Sequence, residues 1–193
     1  MHDRERLEEA AKLLINAIPE ERREGLRETP RRFADAWIHY TSGYGVDPAT
    51  VLKMFEDGAE DCDQMVVQGP ISLWSLCEHH MAPFFGAAYI AYIPNKRIVG
   101  LSKMVRLLDI FARRLQVQER LTNQIANAID EILEPTGVGV ILRCRHTCME
   151  MRGVERIGSI TTTSALRGAI LHEPDARSEF LEFVKLSGDG SLI

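Results

Sequence analysis

Two short segments of the chain bring together residue types that can hold a metal ion. Cys77 and His80 lie three residues apart, a spacing that lets a tight turn direct both side chains at one ion, and Cys148 comes from a distant part of the chain. Two thiolates and one imidazole suit Zn²⁺, and three protein ligands leave the fourth position to water, as in catalytic zinc sites. The two segments therefore predict a catalytic zinc centre.

A further histidine accompanies each segment. His79 directly precedes His80, and His146 stands two residues before Cys148. Near neutral pH an imidazole can accept a proton and an imidazolium can donate one. A metal, its water and two free imidazoles together indicate hydrolytic chemistry.

Disulfide formation is the alternative for the cysteines, which are Cys62, Cys77, Cys144 and Cys148. The charged start of the chain is followed by no apolar stretch typical of a secretory signal, and no apolar run approaches the ~20 residues of a membrane span. This pattern favours a cytoplasmic protein that does not enter a membrane. Clustered cysteines in such a protein bind metal more often than they form disulfides.

The composition is that of an ordinary globular protein. The chain has 193 residues, of which 45% are hydrophobic and 26% are charged, and its net charge is −5. The negative charge argues against a general nucleic-acid binder, which would show a basic patch. Any polyanionic substrate must therefore be met by locally clustered cations.

Hydrophobic periodicity divides the chain into a helical region, 1–60, and a mixed region, 61–193. Helix start signals occur at Thr29-Pro30 and again at Asp47-Pro48, and residues 187–193 are expected to form a loose tail. In the mixed region strands are expected at 65–67, 71–76, 84–93, 97–101, 138–147 and 157–163, and helices at 103–115, 119–133 and 178–186.

The expected strand that begins at 138 places alternate residues on one face. Cys144, His146 and Cys148 would then share that face, with His146 and Cys148 side by side at its end. Two steps along a strand separate Cys144 from Cys148 by about 6–7 Å. We therefore interpret Cys144 as a core thiol rather than a fourth ligand.

Cations near a helix start indicate where a phosphate could bind. Ser102 begins an expected helix, and Lys103 and Arg106 lie three apart on its first turns, where the helix N-terminus also favours an anion. Arg152 stands four residues after the expected metal ligand of its segment. The alternative for these cations is ordinary surface solvation.

Taken together, the motifs resemble the GTP cyclohydrolase I family. The resemblance extends from about residue 25 to about residue 183. It is carried by Cys77-Glu-His-His80, Ala91-Tyr-Ile-Pro94, Gly100-Leu-Ser-Lys103, Gln116-Val-Gln-Glu-Arg-Leu-Thr122, Arg145-His-Thr-Cys148, Met151-Arg-Gly-Val154 and Thr161-Thr-Thr-Ser164.

The resemblance implies an α+β tunnelling fold, in which an antiparallel sheet carries two helices and is preceded by N-terminal helices. It also implies a homodecamer of two stacked five-membered rings with active sites at subunit boundaries. The implied reaction converts GTP and water into 7,8-dihydroneopterin triphosphate and formate, the first step of pterin and tetrahydrofolate synthesis, with Zn²⁺ as cofactor.

The resemblance further implies a role for each matching position. Cys77, His80 and Cys148 match the zinc ligands, and His79 and His146 match the catalytic histidines. The substrate positions are Glu119 with Gln118 beside it at the guanine edge, Ser102 near the ribose, and Lys103, Arg106, Arg152 and Arg32 around the triphosphate.

Two positions carry a reservation. Asp35 stands where some members of the family have a phosphate-binding lysine, so the triphosphate clamp is weaker here or another cation substitutes. Glu119 would also be explained by the helix dipole alone, because an acidic residue is favourable at a helix start.

Other functions fit the residues less well. Zinc nucleobase deaminases carry His-x-Glu and Pro-Cys-x-x-Cys, and neither motif occurs. A non-catalytic pterin- or purine-binding protein of the same fold would have lost the zinc ligands and His146, which are present. A relative that acts on another purine triphosphate or uses another metal stays open.

Overall fold

The computed structural model describes residues 2–19, 23–56, 59 and 61–188. Contacts within the chain divide it into two units, Met1–Ser42 and Gly43–Ile193. The sequence-based division assigned residues 43–60 to the helical region, whereas the structure groups them with the sheet. Residues 57, 58 and 60, next to the expected boundary, lie outside the described residues, as do residues 189–193 of the expected tail.

The N-terminal unit is helical, as the periodicity predicts. It contains α1 (Arg4–Ala17), a 3₁₀ turn (Glu24–Leu26) and α2 (Thr29–Tyr40). The carboxylate of Asp3 accepts a hydrogen bond from the backbone N–H of Arg6 at 3.1 Å and so caps α1. Helix α2 carries Pro30 in its first turn, where the missing N–H costs nothing.

Asp35 links the two helices of this unit. It forms ion pairs with Arg4 on α1 at 2.6 Å and with Arg31 on α2 at 3.3 Å. All three side chains are about half exposed, so each pair contributes at most about 1 kcal/mol of stability. In this chain Asp35 therefore has a structural role.

The second unit is built on a five-stranded sheet with strand order β5-β2-β3-β6-β7. β3 pairs antiparallel with β2 and β6, β7 pairs antiparallel with β6, and β5 runs parallel to β2. A separate antiparallel pair joins β1 to β4. The strands are β1 (Met54–Phe55), β2 (Val66–Cys77), β3 (Pro83–Ile93), β4 (Ile98–Val99), β5 (Leu115–Gln116), β6 (Gly137–His146) and β7 (Ile160–Arg167).

Helices cover both faces of this sheet. The helices at 101–112 and 118–133 pack on the face that carries Leu73 and Leu142. The helices at 168–172 and 174–187 pack on the face that carries Tyr89 and Ile141. The sequence does not predict that helices also cover the face that carries Tyr89 and Ile141. The helices are α3 (Leu101–Ala112), α4 (Gln118–Leu133), α5 (Thr147–Glu150), α6 (Gly168–His172) and α7 (Pro174–Ser187).

A glycine on β6 lets α7 approach the sheet. Phe180 of α7 is fully buried, and a Cβ atom added at Gly139 would lie 2.8 Å from its ring. Only glycine leaves room for that ring, so this position fixes where α7 sits.

None of the described helices is long and apolar enough to cross a bilayer.

Two sequence-based expectations about the elements were wrong. Asp47-Pro48 starts only a single 3₁₀ turn, Pro48–Thr50, rather than a helix. The chain then extends because Met54–Phe55 pairs with Ile98–Val99. Gly69-Pro70 does not separate two strands, because β2 continues through it with a shift of register between Gln68 and Ile71.

Candidate active site

The first half of the site is the tight turn that follows β2. The backbone N–H of Met81 donates to the carbonyl of Cys77 at 2.8 Å, and the N–H of Cys77 donates to Ala82 at 2.8 Å. This turn leaves Cys77 buried and His79 and His80 exposed. It confirms that the three-residue spacing brings Cys77 and His80 to one place.

The second half is α5, the helical turn that follows β6. The expectation that Cys148 lies on the strand face was wrong, because β6 ends at His146. Beyond it the backbone N–H of Met151 donates to the carbonyl of Thr147 at 2.9 Å, and the hydroxyl of Thr147 donates to Pro83 at 2.6 Å. These bonds turn the chain into α5, which carries Cys148.

The three expected metal ligands meet between these halves. One ligand atom from each of Cys77, His80 and Cys148 lies within 4.8 Å of the other two. Sγ of Cys77 is 3.9 Å from Nδ1 of His80. With Zn–S near 2.3 Å and Zn–N near 2.0 Å, tetrahedral ligand atoms stand roughly 3.6–3.8 Å apart. The group can therefore hold a metal ion with small adjustments.

The thiol of Cys148 is influenced by its surroundings, including Cys77. Burial raises the pKa of Cys148, and the neighbouring Cys77 raises it further. A cation between the sulfur atoms would favour both thiolates and oppose these effects. The arrangement is therefore unfavourable for two thiolates alone and favourable for thiolates that share a metal.

Cys144 is buried deeper in the same unit. It is 0% exposed within the core beneath α3 and α4, and burial raises its pKa to about 12. A thiol that stays protonated is a poor metal ligand. The structure thus agrees with the interpretation of Cys144 as a core residue.

The exposed imidazoles of the turn have polar neighbours. Nδ1 of His79 lies 3.8 Å from Sγ of Cys77. Nε2 of His80 accepts a hydrogen bond from Nη1 of Arg152 at 2.8 Å, which places Arg152 beside the cluster, as its position in the sequence predicts.

His146 lies at the end of β6 in a different environment. It is partly buried, its ring stacks on Phe84 with centroids 4.8 Å apart, and its Nε2 is 2.8 Å from Oε1 of Gln118. Burial lowers the pKa of His146, while the carboxylates of Glu119 and Glu150 raise it. The net shift is downward, so the neutral ring is favoured.

The first turn of α4 contacts both halves of the site. Gln118 is buried beside His146, Glu119 is exposed, and Arg120 forms an ion pair with Glu78 of the turn that carries Cys77. The backbone N–H of Glu78 also donates to Gln116 at 2.9 Å. The start of α4 therefore contacts both the turn that carries Cys77 and His80 and the histidine at the end of β6.

The expected phosphate-binding cations are available to a ligand. Ser102 and Arg106 are exposed and Lys103 is partly buried, all in the first turns of α3. Over the described ranges neither Lys103 nor Arg106 forms an ion pair through its side chain. Arg32 lies in α2 of the N-terminal unit.

Three contacts that support the site were not predicted from the sequence. Phe84 stacks on His146, Arg120 pairs with Glu78, and Thr163 contacts Gln118. Each partner is more than 40 residues away in the chain. No local pattern signals contacts of this kind.

The chain is similar to known proteins over most of its length. Residues 7–185 match the family GTP cyclohydrolase I. A protein named GTP cyclohydrolase 1 from Janthinobacterium sp. (strain Marseille) is 57% identical over 159 residues, which cover 82% of this chain and 80% of that protein.

Two further relatives have the same name. The protein from Chlorobium phaeovibrioides is 48% identical over 182 residues, which cover 94% of this chain and 81% of the relative. The protein from Wolinella succinogenes is 46% identical and is covered over 96% of its length.

The fold and site define a protein with helices and an antiparallel-containing sheet and with a Cys-His-Cys group that can hold a metal ion. The match over residues 7–185 and the identities of 46–57% to these relatives establish the family. The chain belongs to the GTP cyclohydrolase I family.

Proposed function

We propose that this chain is a zinc-dependent GTP cyclohydrolase I. It would convert GTP and water into 7,8-dihydroneopterin triphosphate and formate, the first step of pterin and tetrahydrofolate synthesis. The observation that carries the proposal is the convergence of Cys77, His80 and Cys148 within 4.8 Å, with Nδ1 of His79 3.8 Å from Sγ of Cys77. The test is incubation of the protein with GTP and detection of formate and a fluorescent pterin.

Cys77, His80 and Cys148 would hold the zinc. When bound, it would supply Lewis-acid activation of a water whose pKa falls toward ~7. Arg152 donates a hydrogen bond to His80 at 2.8 Å, so its guanidinium stands beside the residues that would hold the zinc, where it could also bind a phosphate group.

We assign the proton transfers of the reaction to His79 and His146. Opening the imidazole ring of GTP requires protonation at N7. We assign this step to His79 because it lies in the turn that carries Cys77 and His80. Later proton movements, during ring opening and ribose rearrangement, we assign to His146. A neutral, partly buried imidazole is suited to accept a proton and pass it on.

The remaining exposed groups would bind the rest of the nucleotide. Lys103 and Arg106, which form no ion pair with any residue that the structure describes, would hold the triphosphate with Arg152, and Ser102 would lie near the ribose. Arg32 is assigned to the triphosphate only by its match to the family. Local cations are required because the chain as a whole carries a net charge of −5. A cationic helix start is well suited to a polyphosphate.

Glu119 would select guanine. Guanine presents two adjacent donors, N1–H and the 2-amino group, and one carboxylate can accept from both. ATP has a bare acceptor at N1, so it would leave the carboxylate unpaired, and a mismatch of this kind costs up to ~10⁴-fold in selectivity. Inosine triphosphate lacks only the 2-amino group and should be intermediate.

Glu119→Gln should weaken the use of GTP and reduce the preference for GTP over ATP, because its amide presents a donor where an acceptor is needed. The measurement is kcat/KM for the three nucleotides in both proteins. Glu131→Gln is the matched control, since it makes the same change on α4 about 18 Å further along the helix. An unchanged GTP-to-ATP ratio in Glu119→Gln would mean that Glu119 only favours the helix start.

We also propose that the chain assembles as a homodecamer of two stacked pentameric rings, with the tunnelling fold formed by joined sheets. Within the described ranges, β7 pairs on one side only, and β5 covers only Leu76 and Cys77 of β2. Exposed strand edges of this length favour pairing with another chain. Neighbouring subunits would close the site, whose histidines His79 and His80 are exposed in the single chain.

Light scattering of the purified protein should show a particle with the mass of a decamer rather than of the 21.8 kDa chain. Activity should decline on dilution in step with dissociation, because the sites lie between subunits. A fully active monomer would contradict the proposed assembly.

A further inference from the structure

The side chain of Gln118 is held in one orientation. It is 1% exposed at the first position of α4. Its Nε2 lies 3.1 Å from the carbonyl of Leu142 and 3.0 Å from the carbonyl of Thr161. Carbonyl oxygens only accept hydrogen bonds, so the amide nitrogen must face them and the amide oxygen must face the other way.

Two threonines fix the same orientation independently. The hydroxyl of Thr122 donates to the backbone carbonyl of Gln118 at 2.7 Å, which commits its proton. The hydroxyl of Thr163, 2.6 Å from Thr122 Oγ1, must then be the donor of that pair. Oγ1 of Thr163 is thereby left as an acceptor 3.0 Å from Nε2 of Gln118, whose two protons are shared among this oxygen and the two carbonyls.

The amide oxygen of Gln118 faces His146. Oε1 lies 2.8 Å from Nε2 of the imidazole, and an amide oxygen can only accept. Nε2 of His146 must therefore carry a proton, which leaves the lone pair of the neutral ring on Nδ1. Stacking on Phe84, with 9° between the planes, fixes the orientation of the ring. No residue that the structure describes forms a hydrogen bond to Nδ1.

We propose that Gln118 is a positioning residue that fixes the tautomer of His146, so that Nδ1 is the atom that exchanges protons with the substrate. This inference rests on the proposed function for the part His146 plays in the reaction. It gives Gln118 an indirect role, because each polar atom of its amide already has a partner within the protein. A guanine contact would have to break buried hydrogen bonds, which is costly.

The tautomer can be observed directly by neutron diffraction. The experiment uses deuterated crystals of the zinc-loaded wild-type protein at a pD about two units above the ordinary histidine pKa of ~6.5, where the ring is neutral. We expect deuterium on Nε2 of His146, toward Gln118, and none on Nδ1. Deuterium on Nδ1 with a bare Nε2 would overturn the proposal, whatever the catalytic activity of the protein.

A substitution separates positioning from substrate binding. Gln118→Met keeps the length of the side chain and removes the acceptor, so both tautomers become accessible. We expect kcat to fall by about 10- to 100-fold, less than the ~10⁴-fold loss when an orienting group imposes the wrong tautomer. KM for GTP should stay within about threefold and the zinc content should not change.

Gln124→Met is the matched control. It removes an amide from the same helix. The oxygen of that amide accepts a hydrogen bond from Nε2 of Gln116 rather than from His146. A raised KM with unchanged kcat in Gln118→Met would show a substrate contact and overturn the proposal, and so would unchanged kinetics. If Gln118→Met fails to fold, the neutron map still decides the tautomer. A wild-type protein that did not act on GTP would defeat the proposed function and leave that map interpretable.

Discussion

Replacing Cys148 by serine is expected to remove the metal and abolish turnover of GTP. The wild-type protein should bind about one Zn²⁺ per chain through two thiolates and one imidazole. A serine hydroxyl is not deprotonated near neutral pH and cannot replace a thiolate, so only Cys77 and His80 would remain. Elemental analysis after dialysis measures the loss directly.

Cys144→Ser is the matched control for this result. It makes the same change four residues away, in a side chain that is fully buried and whose pKa burial raises to about 12. Its cost should be a loss of roughly 1–3 kcal/mol in unfolding free energy, from a hydroxyl placed in an apolar core, with zinc retained. Full zinc in Cys148→Ser, or zinc lost from Cys144→Ser instead, would show that the ligand is misassigned.

Replacing His146 by alanine should separate catalysis from binding. The imidazole is not part of the Cys-His-Cys group, so the variant should keep zinc and still bind GTP. Turnover should fall by roughly 10²- to 10⁴-fold, the usual contribution of general acid–base catalysis. The measurements are zinc content, GTP binding by calorimetry and kcat.

His172→Ala provides the control for this variant, because His172 is an exposed histidine at the end of α6. It should leave all three quantities unchanged. Near-normal turnover in His146→Ala would remove His146 from the mechanism. Loss of zinc from that variant would instead mean that it supports the metal centre rather than the proton transfers.

The metal cluster could be predicted from the sequence because its signal is local. Cys77 and His80 need only one tight turn to converge, and that turn formed as expected. The position of Cys148 relative to His146 could not be predicted in the same way. The alternation of side chains along a strand predicts that Cys148 lies on the same face as His146. In the structure the pairing of β6 ends at His146, and Thr147 begins α5.

Elements with strong periodicity were also predictable, and those that depend on tertiary pairing were not. Helices α3 and α4 carry clear apolar stripes, and both were expected within a few residues of their bounds. Met54–Phe55 follows a good helix start signal and becomes a strand because Ile98–Val99 lies beside it. A partner 43 positions away decides its conformation, and nothing in its own sequence shows this.

The hydrogen bonds around Gln118 have the same origin. Its partners Leu142, His146 and Thr163 lie 24, 28 and 45 residues away. The sequence shows a polar residue at a helix start, which is ordinary. Only the folded arrangement shows that this amide is buried between β6 and β7 and oriented toward a histidine.

The most direct test of the proposed function is the stoichiometry of formate release from GTP by the purified, zinc-loaded protein. We expect one formate and one fluorescent pterin triphosphate for each GTP consumed, and no free phosphate. GTP that stays intact, or that yields phosphate without formate, would contradict the proposed opening of the imidazole ring.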